Sequence, residues 1–135
     1  MLDPPIPLIR GGGQRNHHDL AAWRAAIDLA AVMYTLTQSF PGAERNGLIS
    51  QIRRSVVSVG ANLAEGASRS TTKEYLRFVG IARSSLMELE TLLIVAERVG
   101  MTSRDELAAV IPAVNSTFAL LSGLISSLRR REHGR

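Results

Sequence analysis

The sequence predicts an all-α protein, an up-down-up-down antiparallel four-helix bundle. Composition, apolar periodicity and the placement of start and stop signals each point to it. Hydrophobic residues make up 45% of the 135-residue chain and charged residues 21%, a balance suited to one folded domain around a single core. Aromatic residues contribute 4%, so Leu, Ile, Val and Ala must fill that core, and Ala and Leu are the strongest helix formers. Apolar residues recur at three- and four-residue intervals, with no competing strand-like alternation.

The first helix is expected to open at Asp19 as N-cap and to run to about Phe40, where Pro41-Gly42 stops it. Leu20, Trp23, Ile27, Ala31 and Tyr34 form its apolar stripe. The second helix is expected from near Asn46 to about Gly66, with Leu48, Ile52, Val56, Val59 and Leu63 inward. Thr71 followed by Glu74 is a capping-box pattern for the third helix, and Gly100 suits its C-terminal cap. Its stripe is Tyr75, Phe78, Val79, Ala82, Leu86, Leu89 and Leu93. The fourth helix repeats the start signal with Ser103 and Glu106. Leu107, Val110, Ile111, Val114, Phe118, Leu121, Ile125 and Leu128 point inward, and Pro112 should kink the helix or loosen one turn. Four amphipathic helices with short links favour the up-down arrangement. The domain is thus expected over 19–131, preceded by a flexible arm over 1–18 and followed by a short tail over 132–135.

Further apolar rows lie off these stripes. They comprise Leu29, Val32 and Leu36 on the first helix, and Ile49, Val57, Ala61 and Ala64 on the second. The third adds Leu76, Gly80, Met87 and Ile94. A helix apolar on several sides is usually buried on several sides, and a monomer exposing three such rows would carry a large apolar patch. A homo-oligomer with subunit contacts from the first three helices is expected; the alternative is a wide core in a monomer.

Several functional classes find no support. The chain has no Cys, which excludes disulfides and thiolate metal sites. The N-terminal segment lacks the basic start and continuous apolar stretch of a signal peptide, and no apolar run approaches the roughly 20 residues that span a bilayer. His17 and His18 are adjacent and have no further His or Cys nearby to complete a zinc set, and His133 lies in the tail. Gly11-Gly12-Gly13 follows no strand and lacks the lysine and spacing of a phosphate loop. Glu88 and Glu90 diverge on a helix, no histidine is placed to activate a serine, and the Glu-x-x-His pairs of di-iron bundles are missing. A non-enzyme without cofactor or metal is expected.

Charge is the remaining signal. The net charge is +4, and Lys73 is the only lysine among 16 cationic side chains. Between Asn46 and Ser85 the cations Arg53, Arg54, Arg69, Lys73, Arg77 and Arg83 face only Glu65 and Glu74. The following stretch to Glu106 is rich in acids. The six cations are the candidate nucleic-acid-binding residues, since guanidinium groups pair with phosphate in bidentate fashion. Solvated helix faces or intersubunit salt bridges would use the same residues. Arg53, near the second apolar row, fits the structural role better. Asn62 and Glu65 read as groups that satisfy the turn to the third helix or pair with an arginine, and Arg129-Arg130-Arg131 as charges that could contact phosphate but also suit a helix C-terminus.

The chain resembles a known family along most of the predicted bundle. The likeness begins at Leu20-Ala21-Ala22-Trp23 and continues through Tyr34-Thr35-Leu36-Thr37, Phe40-Pro41 and Ser50-Gln51-Ile52-Arg53-Arg54. It goes on through Asn62-Leu63-Ala64-Glu65-Gly66, Lys73-Glu74-Tyr75-Leu76-Arg77-Phe78, Ser85-Leu86 and Glu88-Leu89-Glu90. In order and spacing these motifs are similar to those of the small four-helix bundle proteins linked to intervening sequences of bacterial 23S ribosomal RNA. In fold and charge the chain also looks like the accessory variability determinant of diversity-generating retroelements, a pentamer that binds nucleic acid and a reverse transcriptase. The resemblance implies a cytoplasmic homopentamer of four-helix bundles. Family members often carry proline within Ser58-Val59-Gly60-Ala61-Asn62, where this chain has Gly60 instead. The expected function is a non-enzymatic nucleic-acid-binding or accessory protein with a basic surface; the alternative is an oligomeric scaffold with a protein partner and no nucleic-acid role.

Overall fold

The computed structural model describes Asp3, His17 and residues 20–44 and 46–134. Apart from Asp3 and His17, the arm over 1–18 lies outside the described residues, as do Asp19 and the Gly11-Gly12-Gly13 run. Helix α1 spans Ala21–Thr37, α2 Leu48–Ala67, α3 Thr72–Arg98 and α4 Arg104–His133, with a 3-10 turn at Gly42–Glu44 between α1 and α2. Consecutive helices pack on one another and α4 closes on α1, so each helix has two close neighbours around a shared core.

Paired contacts give each direction. Arg53 of α2 meets Tyr34 and Thr37 of α1, while Gly60 lies beside Ala26 and Trp23. Ser58 bonds Ser85 of α3, and Gly66 lies beside Phe78 and Tyr75. Arg83 stands over Phe118 of α4, and Glu97 pairs with Arg104. In each pair one number rises as the other falls, so successive helices are antiparallel, as the short links require.

Local chemistry sets the boundaries. The Thr71 hydroxyl accepts from the Glu74 N–H, and Ser103 and Glu106 cap each other reciprocally, so orphan donors at both helix starts are satisfied. At the end of α3, the Met101 N–H reaches the Ala96 carbonyl and the Gly100 N–H reaches Glu97. That Schellman closure needs a left-handed residue, which Gly100 supplies at φ 82°. Helix α1 starts one residue later than expected, with Leu20 as its N-cap, and stops at Thr37, before Pro41; α2 starts at Leu48, just after Gly47. Helix α4 continues through the exposed Pro112, and α2 through Gly60.

The core confirms the stripes of α2 and α3 almost entirely. Ile52, Val56, Val59 and Leu63 are fully buried, as are Val79, Ala82 and Leu89, while Phe78 is half-buried. Each such Leu or Ile contributes about 1.5–3 kcal/mol by leaving water. On α4, Ile111 of the expected stripe is exposed.

Helix α1 corrects the expectation. Its buried row is Ala22, Trp23, Ala26, Leu29, Met33 and Leu36, whereas Ile27, Ala31 and Tyr34 are exposed. Two regular apolar rows compete there. α1 touches both α2 and α4, and the midline between them falls on Leu29 and Met33. Leu29 and Leu36, and Ile49 on α2, are therefore core residues of the subunit rather than an outer row.

A second correction concerns α4. From Leu107 to Leu128 it carries no charged residue, and by length and composition it is apolar enough to cross a membrane. Pro112, Asn115 and scattered serines break the run into pieces, which hides it in the sequence. In the fold Val110, Val114, Thr117, Leu121, Ile125 and Leu128 of this helix are core residues.

Candidate nucleic-acid interface

The antiparallel register of α3 and α4 creates a groove at the end of the bundle where α3 begins. With Phe118 opposite Arg83, a further eleven residues along α4 bring Arg129 level with Lys73. Lys73, Arg77, Arg83 and Arg129 line a groove of about 840 Å³ in which Glu74 is the single acid. Its floor is apolar, formed by Leu76, Gly80, Met87 and Ile125.

Two of these cations have aromatic supports. The Arg83 guanidinium carbon lies 5.5 Å from the Phe118 ring centroid, and that of Arg77 lies 5.1 Å from Phe78. Such contacts restrain a long side chain without consuming its N–H donors. Lys73, Arg77, Arg83 and Arg129 are all exposed, and among the described residues none of the four pairs with a carboxylate.

The other candidates lie apart. Arg69 stands over the same Phe78 ring at 4.7 Å and pairs with Glu65 one helical turn earlier, so its charge is largely answered. Arg53 is half-buried between α1 and α2, where its Nε donates to the buried Thr37 hydroxyl at 2.9 Å and its guanidinium stacks 4.5 Å from the Tyr34 centroid. Arg54 lines the same smaller recess of about 410 Å³ together with Ile49 and Val57. It is exposed and reaches only Ser50 of its own helix. The structure thus gathers Lys73, Arg77 and Arg83, sets Arg69 beside them through Phe78, and places Arg53 and Arg54 elsewhere.

Arg129 is the groove cation outside the six candidates between Asn46 and Ser85. Its signal lay in the helix pairing, because an antiparallel partner of α3 must return its C-terminal turn to the start of α3. Asn62 is half-buried and donates to both the carbonyl and the hydroxyl of Ser58, at 2.9 and 3.0 Å. It therefore braces the α2–α3 seam. His17 packs edge-on against Trp23, with ring centroids 4.9 Å apart. Among the described residues no three His, Cys, Asp or Glu side chains cluster closely enough to hold a metal ion.

Comparisons with known proteins agree with this architecture. The model of the family described as 23S rRNA-intervening sequence protein matches residues 18–123. Among solved structures, the chain is similar to a protein of unknown function from the S23 ribosomal protein family of Bacteroides thetaiotaomicron. The two superpose with a TM-score of 0.70 at 21% identity, covering 78% of this chain and 98% of the other. At that identity the likeness concerns the fold. The search of curated proteins returns no match.

Proposed function

This chain belongs to the 23S rRNA-intervening sequence protein family, and from that premise we propose that it is a non-catalytic, homo-oligomeric nucleic-acid-binding or accessory protein of the cytoplasm. The observation that carries this reading is the α3/α4 groove, where four unpaired cations stand against one acid. Such an array binds phosphate by releasing counterions, so affinity falls steeply with salt. Four phosphate contacts per groove correspond to a slope of about −3 to −4 in log affinity against log salt.

Oligomerisation, pentameric as the resemblance implies, is supported by apolar side chains that the subunit leaves in solvent. They include Val57 on α2, Ile94 and Val95 on α3 and Leu120 on α4. The uncharged length of α4 widens the expected contact surface beyond the first three helices. The same observation favours the second reading, an oligomeric scaffold whose partner is another protein.

Titration of labelled structured RNA and duplex DNA at two salt concentrations separates the two. The variants are Arg77→Glu with Arg83→Glu in the groove, and Arg54→Glu on the α1/α2 side, each checked for unchanged mass by light scattering. Salt-sensitive binding that collapses in the groove variant and survives Arg54→Glu is the expected result. No binding to either probe at low salt would remove the nucleic-acid role. A monomeric mass would remove the oligomer.

A further inference from the structure

Gly80 is the least explained residue of the basic groove. A glycine inside a helix costs about 0.5–1 kcal/mol relative to alanine, so it persists where a side chain would obstruct something. Gly66 is accounted for within the subunit, since a Cβ there would lie 2.8 Å from that of Phe78 and 3.0 Å from the Tyr75 ring. Gly60 lets α1 approach, its Cβ position falling 3.4 Å from Ile27. At Gly80, by contrast, a Cβ would meet nothing within 4 Å. Gly123 on α4 is similarly open but does not line the groove.

Gly80 lies on the groove floor with Leu76 and Met87, between the turns that carry Arg77 and Arg83. The missing side chain leaves a notch of bare helix backbone inside a ring of cations. A polyanion whose outer surface is all phosphate and sugar gains little from an apolar notch. One with splayed bases gains from seating an apolar face there while its phosphates reach the rim. Helices pack roughly 8–10 Å apart, so the cleft between them suits a single strand better than a stacked duplex.

Resting on the nucleic-acid reading above, we infer that the α3/α4 groove takes a single-stranded polynucleotide segment. One unstacked base sits on the Gly80 floor, and the flanking phosphates lie on Lys73, Arg77, Arg83 and Arg129. Arg77 and Arg83, steadied by Phe78 and Phe118, are placed to hold the phosphates on either side of that base.

The test fills the notch. Full-length Gly80→Leu is titrated with a labelled uridine oligonucleotide and with a blunt-ended RNA duplex of equal length at one salt concentration. Helicity by circular dichroism and mass by light scattering accompany the titration. Expected is a loss of about fivefold or more for the oligonucleotide, the effect of losing one apolar base contact, with duplex binding changed less than twofold. Equal loss for both probes, or none for either, would overturn the base seat while leaving the nucleic-acid role standing. Wild-type protein that binds neither probe at low salt would overturn both. Should Gly80→Leu lose helicity, Met87→Gln alters the exposed end of the floor without touching the backbone. It is expected to weaken the oligonucleotide selectively, and unchanged selectivity would overturn the seat.

Discussion

Along its α2 flank, α3 is held in a close seam. Gly66 admits Phe78 and Tyr75, Ser58 and Ser85 share a hydrogen bond across it, and Asn62 supports the Ser58 hydroxyl from within α2. Along its α4 flank the same helix leaves a groove, with Gly80 unfilled, Met87 and Ile94 exposed, and Arg83 reaching over Phe118. Both flanks contain a helical glycine, Gly66 in the last turn of α2 and Gly80 within α3, and an aromatic ring beneath an arginine. They differ in what the glycine makes room for. On the α2 side the space is taken by this subunit's own side chains; on the α4 side it is open and ringed by unpaired charge. A residue type therefore says little until its neighbour is known. The two flanks separate the part of α3 that secures the fold from the part available to a ligand.

The comparison breaks first at Gly66. A methyl group in Gly66→Ala must displace the Phe78 Cβ, which is fixed to the α3 backbone and cannot rotate away. Overpacking of this kind costs about 1–3 kcal/mol, offset by a helix-propensity gain of up to about 1 kcal/mol. A net loss and a fall of several degrees in Tm are expected, read by thermal melts at fixed protein concentration because the oligomer contributes to stability. An unchanged Tm would mean that the seam is loose, and the contrast between the flanks would disappear.

Ser85→Ala probes the same seam more gently. Ser58 and Ser85 share a hydrogen bond of 2.9 Å, but Asn62 still serves the Ser58 hydroxyl after truncation. With that donor kept, the loss should sit at the low end of the about 0.5–1.5 kcal/mol typical of one hydrogen bond. Denaturant midpoints at constant m-value measure it. The double variant with Asn62→Ala should cost more than the sum of the singles, since each partner compensates for the other's loss.

What was legible in the sequence follows the range of the interactions that decide it. The caps at Thr71, Ser103 and Gly100 are settled within a few residues, and each is found where the pattern puts it. The inward faces of α2 and α3 are also legible, because one row on each is far more apolar than the rest. On α1 two equally regular rows compete, and only the positions of α2 and α4 choose Leu29 and Met33 over Ile27 and Tyr34. The candidate site divides in the same way. Lys73, Arg77 and Arg83 share one helix and one flank, so their grouping is local. Arg53 and Arg54 are neighbours in sequence but about 100° apart around the helix. One therefore turns into Thr37 and Tyr34 while the other faces solvent. Arg129 joins the groove through the α3/α4 register, which no local pattern records.

The smallest effect is also the one with opposite sign. Gly80→Ala adds a methyl group to the α4 flank where nothing lies within 4 Å, so there is no packing to disturb. The change removes backbone freedom from the unfolded chain and supplies a better helix former, and should stabilise by about 0.5–1 kcal/mol. The same Gly→Ala substitution would thus lower Tm at position 66 and raise it at position 80 of a single seam-sharing pair of helices. Thermal melts of the two variants side by side check the sign without depending on the absolute scale. A fall in Tm for Gly80→Ala would place a neighbouring subunit against that backbone in the assembled protein. The notch would then belong to an intersubunit contact, and the ligand reading of the α4 flank would give way to the scaffold.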